Sequence, residues 1–108
     1  MGPWITTYDE IDDPNKLTVT GSLNEDEFTN DHTSNYRFSI QECISEASSY
    51  FTLEAGDLVS FGTTGKGTDK FPRGHKSLLI GEQKGLINIR IEKLGMLSNP
   101  IKHQKGGA

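Results

Sequence analysis

The sequence predicts an α+β, mostly β fold, with mixed or antiparallel strands rolled around one short helix. Three observations predict it. Leu17–Leu23 and Leu86–Glu92 carry β-favouring residues with a period of two. Only one segment, opening at Ser39, combines a helix start signal with apolar residues at helical spacing. Glycine fills 12 of 108 positions while the hydrophobic fraction is 32%, which suits a loop-rich β protein better than a helical bundle. The strand–helix–strand rhythm of a parallel sheet is missing.

The elements follow in chain order. Trp4 and Ile5 are possible apolar anchors, and Asp9-Glu10-Ile11-Asp12-Asp13-Pro14-Asn15 clusters the residues of an exposed turn. Leu17–Leu23 is the first strand. Asn24-Glu25-Asp26-Glu27 is a polar turn, and Phe28-Thr29 begin the returning strand of a hairpin. Ser39 and Glu42 form an S-x-x-E capping box, in which each side chain satisfies a backbone N–H at the helix start. Ile40, Ile44, Ala47 and Phe51 then mark one helical face. Gly56 turns the chain into a short strand at Asp57–Phe61, and residues 62–76 form an irregular loop. Leu78-Leu79-Ile80 reads as strand or anchor. In Leu86–Glu92, Ile87, Ile89 and Ile91 face one way, while Asn88, Arg90 and Glu92 face the other. Lys93-Leu94-Gly95 makes a turn and Met96–Ile101 continues extended. Residues 1–102 thus read as a single unit, with residues 103–108 a flexible tail.

Composition excludes several classes of function. The net charge is −4 with acids and bases interspersed, although the first 31 residues hold eight acids against Lys16 alone. Without a basic stripe, neither nucleic acid nor an anionic membrane is an expected partner. No apolar run reaches membrane-spanning length. The single cysteine, Cys43, has no partner for an internal disulfide, so a reducing, cytoplasmic location is expected. Cys43 lies on the helix's apolar flank, where a thiol serves packing rather than attack. His32, His75 and His103 lack zinc-site spacing, and the acidic runs at Asp12-Asp13 and Glu25-Asp26-Glu27 fit solvated faces rather than a metal cage.

One stretch, Gly62-Thr63-Thr64-Gly65-Lys66-Gly67, invites a nucleotide reading. A phosphate loop needs G-x-x-x-x-G-K-[S/T] between a strand and a helix. Here Ser60 stands at the first glycine, Gly67 at the metal-binding hydroxyl, and Pro72 and Gly74 follow too closely for a regular helix. The nucleotide reading fails at both ends and in context.

Three further stretches, in order and in register, explain the cluster better. Gly2-Pro3-Trp4-Ile5 with Asp9-Glu10-Ile11 and Asp13-Pro14 is the first. Thr52-Leu53-Glu54-Ala55-Gly56-Asp57-Leu58 leading to Gly62-Thr63 is the second, and Ile91-Glu92-Lys93-Leu94-Gly95-Met96-Leu97-Ser98-Asn99-Pro100-Ile101 the third. Together they resemble the C-terminal part of the fumarylacetoacetate hydrolase family over residues 2 to 101. The resemblance implies that family's C-terminal-domain fold. It makes Gly62 and Thr63 the substrate-binding residues, the threonine contacting a carboxylate or oxo group of a small oxo-acid ligand. The bland alternative is a turn, with Gly62 supplying positive φ and Thr63 a cap. Two positions depart from the family pattern: Thr64 stands where relatives commonly have proline, and Lys93 replaces the glycine of the IEGLG turn.

The resemblance also carries expectations about activity. Enzymes of this family are about twice as long, with the match confined to their C-terminal half. They use magnesium or another divalent cation, held by two glutamates and an aspartate upstream of the Gly-Pro-Trp motif. Their catalytic lysine and a His-Glu lid pair lie upstream as well. They hydrolyse, decarboxylate or isomerise acylpyruvates and 2-oxo or 2-hydroxy-dienoic diacids. Residues 1–102 are therefore expected to be a partial catalytic domain, with no catalytic or metal-binding residue and no cofactor of its own, and inactive alone. The alternative is a stand-alone binding or assembly module. Either way the expected partner is a second copy of the chain or a complementary N-terminal half.

Overall fold

β-favouring residues at Thr18, Val19 and Thr20 build the central strand of the protein. The computed structural model describes residues 2–104. In it β1 (Thr18–Leu23) turns through Asn24 and Glu25 into β2 (Asp26–His32), and Asn24 takes the positive φ of 58° that the tight turn requires. On its other side β1 pairs with β3 (Gly85–Ile91), which pairs in turn with β4 (Gly95–Ile101). The sheet order is β2-β1-β3-β4 and every pairing is antiparallel. Asn24 also clamps the hairpin to β3: its N–H donates to Leu86 O (2.7 Å), and its side-chain oxygen accepts from Leu86 N (3.1 Å).

Register places Val19 opposite Ile91, Gly21 opposite Ile89 and Leu23 opposite Ile87, so one face collects the apolar side chains. The buried hydrophobic core comprises Leu17, Val19, Leu23 and Phe28. Phe28 reaches it through a bulge. Gly21 pairs with Thr29 and Ser22 with Glu27, which leaves Phe28 as the extra residue. Its ring then lies over Gly21, where a Cβ would sit 2.7 Å from two ring carbons. Any larger residue there would have to push the ring aside.

The helix α1 (Ile40–Tyr50) begins where the capping box predicts, with both reciprocal bonds formed between Ser39 and Glu42. The turn at Asp13-Pro14-Asn15 latches it. Asn15 Oδ1 accepts from Ile40 N (3.0 Å), Asn15 Nδ2 donates to Gln41 Oε1 (2.7 Å), and Asn15 N donates to Asp13 Oδ1 (2.9 Å). No residue of α1 is buried, and Ile44 and Phe51 of its apolar face are exposed. α1 accompanies a four-stranded antiparallel sheet, the α+β, mostly β architecture that the sequence predicts.

Two expected pieces take another form. Asp57–Phe61 joins no ladder among the described residues, so it forms no strand. Leu78-Leu79-Ile80 runs between two single 3-10 turns, Gly74–Ser77 and Ile80–Glu82. Of the expected tail, residues 105–108 lie outside the described residues, while a ring nitrogen of His103 lies 2.7 Å from Gln83 O.

Candidate substrate loop on the sheet

The loop at residues 62–76 is irregular, yet hydrogen bonds to β2 fix it. Thr29 Oγ1 donates to Lys66 O (2.6 Å), Thr68 Oγ1 donates to Glu27 O (2.7 Å), and Asp31 Oδ2 accepts from Lys66 N (2.9 Å). Internal bonds close it on itself: Thr68 N and Gly74 N both donate to Phe71 O, at 3.0 and 2.9 Å. Glycines make the closure possible. A Cβ on Gly67 would fall 2.5 Å from Phe71 O, and Gly74, buried at φ 62°, packs against the Gly65 carbonyl.

Gly62 and Thr63 lie at the loop's exposed entrance. Gly62 adopts φ 85°, which favours glycine, and Thr63 follows with its side chain in solvent. The Thr63 hydroxyl donates to the Thr64 carbonyl (3.0 Å). A hydroxyl rotor of this kind can redirect to an incoming carboxylate or oxo oxygen at little cost. Thr64, where relatives commonly carry proline, is buried.

Beneath the loop sits Asp31, a buried carboxylate. Besides Lys66 N it accepts from His32 N (2.8 Å) and from Asn35 Nδ2 (2.7 Å), both on Oδ1. Burial pushes its acidity the other way. The hydrogen bonds from Asn35 and from the backbone of Lys66, His32 and Gly65 outweigh that, and the carboxyl is held below the ordinary aspartate value. Burial, together with the charge of Asp31, raises the neighbouring Tyr36 phenol. Sequence reasoning missed Asp31. The signal was the alternation of Thr29, Asp31 and Thr33, which runs along β2 into the 3-10 turn after it; all three are buried, and a buried carboxylate requires donors.

Other singled-out residues are dispersed. His32 Nδ1 lies 2.6 Å from Ser34 Oγ, His75 abuts Gly65, and half-buried Cys43 lies on α1. Asp26 pairs with Lys70 (2.7 Å) and Asp12 with Lys93 (3.3 Å). Among the described residues no three His, Cys, Asp or Glu side chains converge on one point. Among the described residues, these side chains do not by themselves fit the divalent metal that the resemblance implies.

The fumarylacetoacetate (FAA) hydrolase C-terminal family model matches residues 1–102, and the chain belongs to that family. It is 33% identical to a maleylpyruvate hydrolase of Aquipseudomonas alcaligenes over 94 residues, covering 87% of this chain and 32% of that protein. It is 36% identical to an oxaloacetate tautomerase of Bacillus subtilis over 101 residues, covering 94% and 32%. The fold superposes on the crystal structure of maleylpyruvate hydrolase from Sphingobium sp. SYK-6 with a TM-score of 0.73 at 30% identity, covering 92% of this chain and 33% of that one. A second structure of that enzyme, in complex with manganese(II) and pyruvate, gives 0.72. The chain thus spans about a third of the length of these relatives, less than the expected half. Among the described residues no helix is long and apolar enough to cross a membrane.

Proposed function

We propose that these residues form the substrate-facing wall of a fumarylacetoacetate-hydrolase-type active site, in which the Gly62-Thr63 turn holds an anionic oxygen of a small 2-oxo acid. The parent reaction class is metal-dependent hydrolysis, decarboxylation or isomerisation of acylpyruvates and related diacids. One observation carries the reading: Thr63 is exposed directly after a positive-φ glycine, on a loop tied to β2 at three points. The names of the relatives support it, since maleylpyruvate, oxaloacetate and the pyruvate bound to one of them are 2-oxo acids. The metal and the acid–base groups belong to residues outside this stretch, and the stretch alone is catalytically silent. The lone thiol of Cys43 suits a reducing, cytoplasmic setting.

The test is to titrate the purified chain with pyruvate while following backbone amides by NMR, and to assay acylpyruvate hydrolysis with magnesium or manganese. Shifts confined to residues 62–64, abolished by Thr63→Val, and no turnover are the expected results. Robust turnover by this chain would refute silence, and unmoved amides at 62–64 would refute the binding turn.

A second reading is an assembly module that works by self-association or by pairing with a complementary chain. Exposed Phe51 and Leu58 favour it, because with Ala47, Leu53 and Val59 they line one surface, and a contiguous apolar patch marks an interaction site.

A further inference from the structure

We infer that Asp31 is a positioning residue, the internal anion around which the Gly65–Lys66 backbone is folded and through which the Gly62-Thr63 turn is placed. The stretch from Gly62 to Gly67 resembles a phosphate loop in composition, and the structure shows what its curvature serves. Glycines at 62, 65 and 67 let the backbone bend sharply, and successive N–H groups in a bent segment create a concavity that favours negative charge. Here the charge comes from the protein. Asp31 Oδ2 lies 2.9 Å from Lys66 N, and Asn35 Nδ2 and His32 N saturate Oδ1. Flanking bonds from Thr29 and Thr68 hold the same loop to every second residue of β2, at Glu27, Thr29 and Asp31.

Two consequences follow. The Lys66 N–H is committed inward, so an external phosphate finds no nest there and a substrate oxygen is left to Thr63. Removing the Asp31 carboxylate opens a donor-lined gap that a carboxylate as small as formate can enter. The placement of Thr63 rests on the function proposed above; the folding of the loop around Asp31 does not.

The experiment compares wild type with Asp31→Ala by amide hydrogen exchange, with and without formate, and with chloride as the ionic control. Exchange at Lys66 is expected to accelerate about tenfold or more, the loss of one charge-assisted hydrogen bond, while β1 and β3 amides keep their protection. Formate should slow it again and chloride should not. The pyruvate-induced shifts at Thr63 should weaken in the variant and return with formate. Unchanged Lys66 exchange in Asp31→Ala would overturn the inference, as would acceleration that formate leaves untouched. Should the alanine variant not fold, Asp31→Asn keeps the shape without the charge and leaves formate no gap to enter; its Lys66 amide should exchange faster than in wild type with or without formate, and unchanged exchange there would overturn the inference. If wild type shows no pyruvate shifts while Lys66 exchange follows Asp31, the internal anion stands and the oxo-acid reading falls.

Discussion

Thr33 Oγ1 bonds two backbone groups just ahead of β1. It accepts from Leu17 N (2.9 Å) and donates to Pro14 O (2.8 Å), while Thr33 N donates to Leu17 O (2.8 Å). Thr33 and Leu17 are both buried. Thr33→Val keeps the shape but strands a buried N–H and a carbonyl, which costs about 1–3 kcal/mol per unsatisfied group. Urea unfolding should show that loss with an unchanged m-value. Lys93 presents the opposite case. It holds φ 65° in the β3–β4 turn, a conformation natural to glycine, and strain of this kind costs about 1 kcal/mol or more. Its ion pair with Asp12 is exposed and contributes little. Lys93→Gly exchanges that strain for a more flexible unfolded chain, a penalty of about 0.4–1 kcal/mol, so relief wins by a small margin. The expected outcome is a modest rise in thermal midpoint, measured by circular dichroism.

The loop over β2 gives the clearest dependence on pH. Asp31 has a folded-state acidity held below the ordinary value of 3.8, so its carboxylate form stabilises the native chain. That contribution is fully present above the unfolded value and is lost as pH falls through the lower folded one. Tyr36, whose phenol senses Asp31, stays neutral throughout that window. Asp31→Asn should therefore trail wild type by a constant margin above about pH 5 and converge with it in more acid solution, as read from urea midpoints. How legible these elements were depends on where their bonding partners lie. The capping box at Ser39 and the alternation at Ile87, Ile89 and Ile91 specify local structure with local partners, and both formed. Gly62 and Thr63 could be singled out because a motif marks them. The anchors of their loop could not, since Thr29, Asp31 and Thr68 bond across 35 to 41 residues of chain. Asp57–Phe61 has strand composition, yet a strand is completed by a neighbour that no stretch of five residues can announce.

Among the described residues four buried apolar side chains make a small core, and the distribution of the rest is uneven. The radius of gyration is 16.1 Å, against about 13 Å for a compact domain of roughly 100 residues. The excess comes with solvent-facing apolar groups, not with disordered strands. Ala47, Phe51, Leu53, Leu58 and Val59 line one continuous surface between α1 and the extended stretch that follows it, with Phe51 68% and Leu58 76% exposed. The sheet edges are poorer sites for association. On β4, Pro100 interrupts the backbone donors, and on β2 the loop at residues 62–76 already bonds Glu27, Thr29 and Asp31. Association of the isolated chain should therefore run through the α1 surface. Light scattering at high micromolar concentration is expected to return a dimer or larger species. The double variant Phe51→Lys with Leu58→Lys should move it to a monomer, while Asn99→Lys on β4 should not. A monodisperse wild-type monomer would refute the argument from exposed area. Dissociation by Asn99→Lys alone would transfer the contact to the sheet edge.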